Sequence, residues 1–294
     1  MFNKPKKSLG QNFLKSDKIA QEIVSSGEVC AEDIVLEVGP GEGMLTKELV
    51  KKAKKVIAVE KDEQLVEFLK EKFAKEISDC KLEIVSEDIL KFNPSDHQLS
   101  AGGYKIVANI PYYITSYFLR TFLESDHQPS LMVLMVQKEV AERIAGVKRE
   151  AKQNFSRLTH GEAGKLTSLR TDKEGNPTEV KFSSFSKESL LSISVKAYGE
   201  PKIIRKVSAG FFSPSPKVDS AVLKISNISK KFFQDISEKK FFETVKKGFS
   251  QKRKMLINNL KTDKSVFTAC SIAEKARAED VSLDQWKCLT LKIK

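Results

Sequence analysis

The stretch that most constrains this chain is DIVLEVGPGEG, residues 33–43. An apolar run of strand character stops at three alternating glycines, Gly39, Gly41 and Gly43, and MLTKELVKKA follows with helical spacing. A strand that turns this sharply into a helix belongs in a parallel sheet covered by helices, and backbone at such a turn is open to a ligand. The rest of 33–137 keeps the rhythm. KVIAVE (55–60), LEIVS (82–86), YKIVAN (104–109) and SLMVLMVQ (130–137) read as further strands. Helical DEQLVEFLKEKFAKEI (62–77) and ITSYFLRTFLE (114–124) lie between them. The alternation predicts an α/β fold with a mostly parallel sheet, whose ligands sit at the carboxyl ends of the strands.

The rhythm breaks at 147–188, a polar stretch of mixed charge containing GNP, read as an inserted loop. A helix, SLLSISVKAY (189–198), and two closing strands, EPKIIRKVS (200–208) and DSAVLKIS (219–226), come after it. From about 230 onward the pattern turns all helical, with KKFFETVKKGFSQKRKMLINNL (239–260) followed by shorter helical pieces. The expected organisation is a ligand-binding catalytic domain over 1–229 and a small all-helical domain over 230–294. Charge divides the same way. The chain carries a net +12, but residues 19–146 sum to −7 and residues 230–294 to +8. A basic end on an acidic body suits a polyanion, most simply nucleic acid, and Lys252, Arg253 and Lys254 are its densest patch.

Other classes fit poorly. Apolar runs such as LMVLMV (131–136) are too short to span a bilayer, and the N-terminus has no apolar signal segment. Cys30, Cys80, Cys270 and Cys288 are scattered without a CxxC pair, which fits reduced thiols in a cytoplasmic chain. The three histidines have no metal-ligand spacing, and no metal is expected.

The glycine turn is not a dinucleotide fingerprint, because Met44 stands where GxGxxG needs its third glycine. No GKS or GKT is present to grip phosphate. A GxGxG turn preceded by Glu37 suits an adenosine ligand without phosphates, S-adenosylmethionine. Glu60 ends the second strand, where a carboxylate can accept both ribose hydroxyls. Asp88, after the third strand, can accept from an adenine amino group, and Asn109 ends the fourth. Glu60 or Asp88 alone would also suit a helix N-cap. The three polar groups at successive strand ends point to binding.

The fourth strand exits into NIPYYI (109–114), a poor strand continuation, since proline cannot donate to a ladder. An adenine amine is a weak nucleophile whose lone pair is conjugated into the ring. Two hydrogen-bond acceptors on its N–H groups free that pair without a strong base. The Asn109 side-chain oxygen and the Ile110 or Pro111 carbonyl are candidate acceptors, with Pro111 stiffening the backbone and Tyr112 offering a stacking face. Extruding a base takes about a few kcal/mol, so a second ring is expected. Phe212, in GFFSPSPKVDS (210–220), is the candidate.

With these residues in view, the chain resembles the small-subunit ribosomal RNA adenine N6-dimethyltransferase family of KsgA type. The matching stretches are KKSLGQNFL (6–14), EVGPGEG (37–43), the acids at 60 and 88, NIPYYI (109–114), QKEVAERI (137–144), FSPSPKVDS (212–220) and FFETVKKGFSQKRKML (241–256). The resemblance implies a Rossmann-like S-adenosylmethionine-dependent methyltransferase domain with a C-terminal helical domain. It implies dimethylation of two neighbouring adenosines near the 3′ end of small-subunit (16S) rRNA, within a pre-30S particle, by a cytoplasmic monomer. It also implies that Asn12 and Leu14 close over the cofactor. The chain departs from the family pattern at Ile110, at Tyr113 and in its long 147–188 insertion. A large-subunit enzyme of the Erm type resembles it in fold and in NIPY, but SLGQNFL, KVDS and FSQKRK favour the small-subunit family.

Overall fold

The computed structural model describes residues 10–146 and 187–293. Its strands are β1 (Phe13–Leu14), β2 (Ile34–Val38), β3 (Lys55–Glu60), β4 (Leu82–Ser86), β5 (Tyr104–Asn109), β6 (Leu131–Gln137), β7 (Glu200–Val207), β8 (Phe212–Ser213) and β9 (Ser220–Ser226). Helices α1 (Asp17–Ser26), α2 (Thr46–Leu49), α3 (Glu63–Lys72), α4 (Ala74–Ser78), α5 (Thr115–Glu124), α6 (Lys138–Ala145) and α7 (Leu190–Lys196) accompany the sheet. Helices α8 (Glu238–Gly248), α9 (Leu256–Leu260), α10 (Lys264–Ala269) and α11 (Leu283–Lys292) follow it.

Seven strands form one sheet in the order β4-β3-β2-β5-β6-β9-β7. Strands β2 to β6 pair in parallel, while β9 is antiparallel to both β6 and β7. The chain winds outward from β2 to β4 and then returns to place β5 on the other side of β2. That reversal is the point at which sheets of this kind open a crevice for ligands.

Successive side chains on a strand face opposite ways. In β6, Met132, Leu134 and Val136 join one apolar cluster, and Leu131, Val133 and Met135 join the other. Both faces are therefore covered, which explains why these strands read as unbroken apolar runs. Helix α1 lays Ile19, Ile23 and Val24 on one face, and α5 lays Phe118, Leu119 and Phe122 on the other. Ser16 caps α1 by accepting from the Ile19 amide, and Asp62 caps α3 by accepting from Gln64. The cluster on the α5 face runs on through Phe241, Val245, Trp286 and Leu289 of the helical end.

Several expectations are corrected. The helix after the glycine turn is only Thr46–Leu49, and the helix expected over 62–77 is broken at Phe73. The helical stretch expected over 239–260 is interrupted after Gly248, where a Cβ would lie 2.3 Å from the Trp286 ring. Asn259 then donates to the carbonyls of Gly248 (2.7 Å) and Gln251 (3.1 Å), holding the chain in a turn. Lys252, Arg253 and Lys254 thus lie in an exposed connection between α8 and α9. Cys270 and Cys288 are not free thiols but a disulfide, with Cα atoms 5.6 Å apart, because the end of α10 packs beside α11. Cys30 and Cys80 are free. The two-residue pairing of β1 with β8 has no counterpart in the sequence reading. Of the insertion expected over 147–188, only Lys187 and Glu188 are among the described residues, and both bond to Glu279. Among the described residues, no helix is long and apolar enough to cross a membrane, and no group of three or more His, Cys, Asp and Glu is placed to hold a metal ion.

Candidate active site

Gly39 follows β2, Lys61 follows β3, Glu87 and Asp88 follow β4, and Ile110 follows β5, all at the carboxyl edge of the sheet. One cavity opens there. Asn12, Leu14, Gly39, Glu60, Asp88, Asn109, Pro111 and Tyr112 line it, so eight of the nine expected site residues share one space. Phe212 does not.

The glycine turn shapes the floor. Gly39 has φ +63, and a Cβ there would meet nothing nearer than the Asn109 carbonyl at 3.9 Å. The backbone at Gly39 is therefore open to a ligand. Gly41 has φ +58, and a Cβ there would lie 2.8 Å from the Phe13 ring, so only glycine lets the N-terminal segment cross this turn.

Three carboxyl groups surround the turn in different electrostatic states. Glu60 is buried; its oxygens accept from the amides of Gly41 (3.3 Å), Lys61 (2.9 Å) and Asp62 (3.0 Å). Burial raises its pKa and those three amides oppose the shift. Asp88 pairs with Lys61 at 2.7 Å and accepts from the Leu90 amide at 3.1 Å, and the lysine holds its carboxyl below the usual range. Glu37, on β2, is fully buried, and neither of its oxygens has a partner of ordinary hydrogen-bond geometry. Burial pushes its carboxyl up to about 8; Thr46 opposes that shift and the charge of Glu60 adds to it.

At the end of β5, Asn109 Nδ2 donates to the main-chain carbonyl of Asn12 at 3.2 Å. With its amide nitrogen committed there, the amide's oxygen end is left as an acceptor. Asn12 in turn donates from its own Nδ2 to the Gly10 carbonyl at 3.1 Å. The Pro111 carbonyl accepts from the Ile114 amide at 3.2 Å, whereas no donor reaches the Ile110 carbonyl among the described residues. Tyr112 is held through its hydroxyl, 2.6 Å from Oγ of the buried Ser220.

The expectation of an open Phe212 face is corrected. Residues Phe13 and Leu14 pair with Ser213 and Phe212, and the Lys15 amide donates to the Phe211 carbonyl at 2.9 Å. This pairing turns Phe212 into the core beside Leu14, at 2% exposure, while Phe211 is 40% exposed. Ser220, Lys61 and Gln11, which donates to Asp62 at 3.0 Å, were not singled out from sequence. Ser220 closes the KVDS stretch and Gln11 lies in SLGQNFL, so both carried a motif signal; Lys61 carried none.

A sheet of this order, with acids and a glycine turn at its carboxyl edge, is the fold of a Rossmann-like methyltransferase. The family model for ribosomal RNA adenine dimethylases matches residues 2–160 and 169–293. The chain belongs to the ribosomal RNA adenine dimethylase family and is an enzyme of that class. It is 37% identical over 294 residues to a protein of Dehalococcoides mccartyi named ribosomal RNA small subunit methyltransferase A, covering 97% of this chain and 87% of that one. A Clostridium botulinum protein of the same name is 35% identical over 287 residues, covering 95% and 90%. Among solved structures, the 23S rRNA methyltransferase ErmE superposes with a TM-score of 0.70 at 22% identity, covering 96% of this chain and 99% of that one. A dimethyladenosine transferase from Plasmodium falciparum gives 0.68 at 22% identity, covering 95% and 96%. At that identity the two structures speak for the fold alone.

Proposed function

We propose that this enzyme transfers methyl groups from S-adenosylmethionine to the N6 amines of two neighbouring adenosines near the 3′ end of small-subunit rRNA. It does so on a pre-30S particle, as a cytoplasmic monomer. The observation that carries the chemistry is the Asn109–Asn12 bond, which sets the Asn109 oxygen as an acceptor in a cavity suited to an adenosine. The full-length relatives named for the small subunit support that choice of RNA.

The residues fit the methyl donor. Its charged sulfonium and ammonium groups suit a cavity lined by the carboxyl groups of Glu60 and Asp88. Gly39 gives backbone access, Glu60 would take the ribose, Asp88 the adenine amine, and Asn12 and Leu14 would close the N-terminal side. The bound donor supplies a methyl carbon made electrophilic by its positively charged sulfur.

The chain's own groups prepare the nucleophile. The Asn109 oxygen and the Ile110 carbonyl accept the two N6 hydrogens of an extruded adenine and draw its lone pair out of conjugation. Of the two carbonyls left open by sequence, Ile110 is favoured because the Pro111 carbonyl already serves Ile114. Tyr112 stacks on the base, and Ser220 keeps its ring from turning. Positioning of this kind accounts for most of the rate in displacement reactions, and the proton released by the amine passes to water.

Incubation with labelled methyl donor and undermethylated ribosomal subunits tests the assignment. Label at two adjacent small-subunit adenosines is expected. Label confined to the large subunit overturns it.

A further inference from the structure

We propose that Tyr113 and Tyr117 form a stacking step for the unpaired nucleotide beside the target adenosine. This rests on the reading that the enzyme methylates RNA adenines, and it extends that reading to the neighbouring base. The two rings are the most exposed large apolar side chains among the described residues, at 65% and 57%. They stand four residues apart where the turn Tyr112–Ile114 runs directly into α5. That spacing sets them about one turn apart along the exposed side of this segment. The opposite face of α5 is anchored, with Leu119 and Phe122 buried in the core.

The pair continues the cavity. Tyr113 lines it and packs on Gly10, whose Cβ position is 3.3 Å from the ring, and Tyr117 lies one turn further out. Two cations flank the step, each paired with a carboxylate that a phosphate would have to displace: Lys61, a lining residue of the cavity, with Asp88, and Arg120, three residues past Tyr117, with Glu124. Flat rings beside cations match an unstacked nucleotide, which brings a π-face and a phosphate together. Because Tyr112 faces the extruded base, the next base in the strand emerges over the adjacent Tyr113. Holding it there keeps the second of two neighbouring adenosines unpaired while the first is modified.

The test uses the full-length protein and hairpin RNAs with two adjacent loop adenosines. In each, 2-aminopurine replaces one base flanking the target. Quenching on binding is expected at one flanking position for the parent and for Tyr117→Phe. Tyr117→Ala is expected to lose that quench and to bind RNA about tenfold more weakly, with affinity for the methyl donor unchanged. Undiminished quenching by Tyr117→Ala, or no quenching by the parent, overturns the proposal. So does a Tyr117→Ala change in self-association with the quench intact, which assigns the face to a second copy. The readout does not depend on methyl transfer. An Asn109→Ala variant that still methylates therefore defeats the catalytic reading and leaves the stacking result standing.

Discussion

Asn109 and Asn12 meet across the cavity mouth, the side-chain nitrogen of one donating to the main-chain carbonyl of the other at 3.2 Å. The bond ties the end of β5 to a segment 97 residues earlier in the chain. It thereby ties the orientation of the Asn109 amide to the N-terminal segment. A side-chain amide left to rotate would present nitrogen and oxygen to the substrate equally, and only the oxygen can accept.

The Tyr112–Ser220 bond of 2.6 Å should behave as a unit. Ser220→Ala and Tyr112→Phe each remove it, and each is expected to lower kcat/KM by about fivefold, equivalent to ~1 kcal/mol. The double variant should lose no more than either single one, because both remove the same interaction. Steady-state kinetics on undermethylated small subunits measures this. Additive losses would show that the hydroxyl groups act separately.

Glu37 predicts a pH dependence of stability. Its folded-state pKa of about 8 lies above its ordinary 4.5. The native state therefore keeps a proton that the unfolded chain releases between those values, and the contribution of this group to stability falls as pH rises through that window. The slope is at most about 1.4 kcal/mol per pH unit. Glu37→Gln should melt higher than the parent at pH 8, with the difference shrinking toward pH 5. Thermal melts of both proteins across that range would expose a parallel pair of curves if the carboxyl were ionised throughout.

RNA affinity should fall steeply with salt, and the exposed Lys252–Lys254 connection should carry part of the slope. Replacing all three cations with glutamate is expected to flatten the plot of log affinity against log salt by about 2–3. The methyl donor should bind as before. An unchanged slope would make the connection a solvated turn with no phosphate contact.

The sheet was legible because its strands are short apolar runs that end at polar residues, and strand ends converge on one edge by topology alone. Glu60, Asp88 and Asn109 reach the same cavity for that reason. The two phenylalanines at 211 and 212 were not separable, since adjacent residues differ only in which way they face. The pairing of Leu14 with Phe212 decides it, and that contact spans most of the chain. The break after Gly248 was hidden too. The residues that follow suit a helix, and the turn depends on Asn259 reaching back to two carbonyls. Nor could spacing reveal that Cys270 and Cys288 meet, because their contact depends on how α10 packs on α11.

The most direct test is single-turnover methyl transfer by Asn109→Ala with methyl donor and undermethylated small subunits both saturating. Loss of one preorganised polar contact at a reacting centre predicts a rate lower by about 10²-fold or more, with RNA affinity retained. A rate equal to the parent's would show that the oxygen held by the Asn12 bond plays no part in activating the amine.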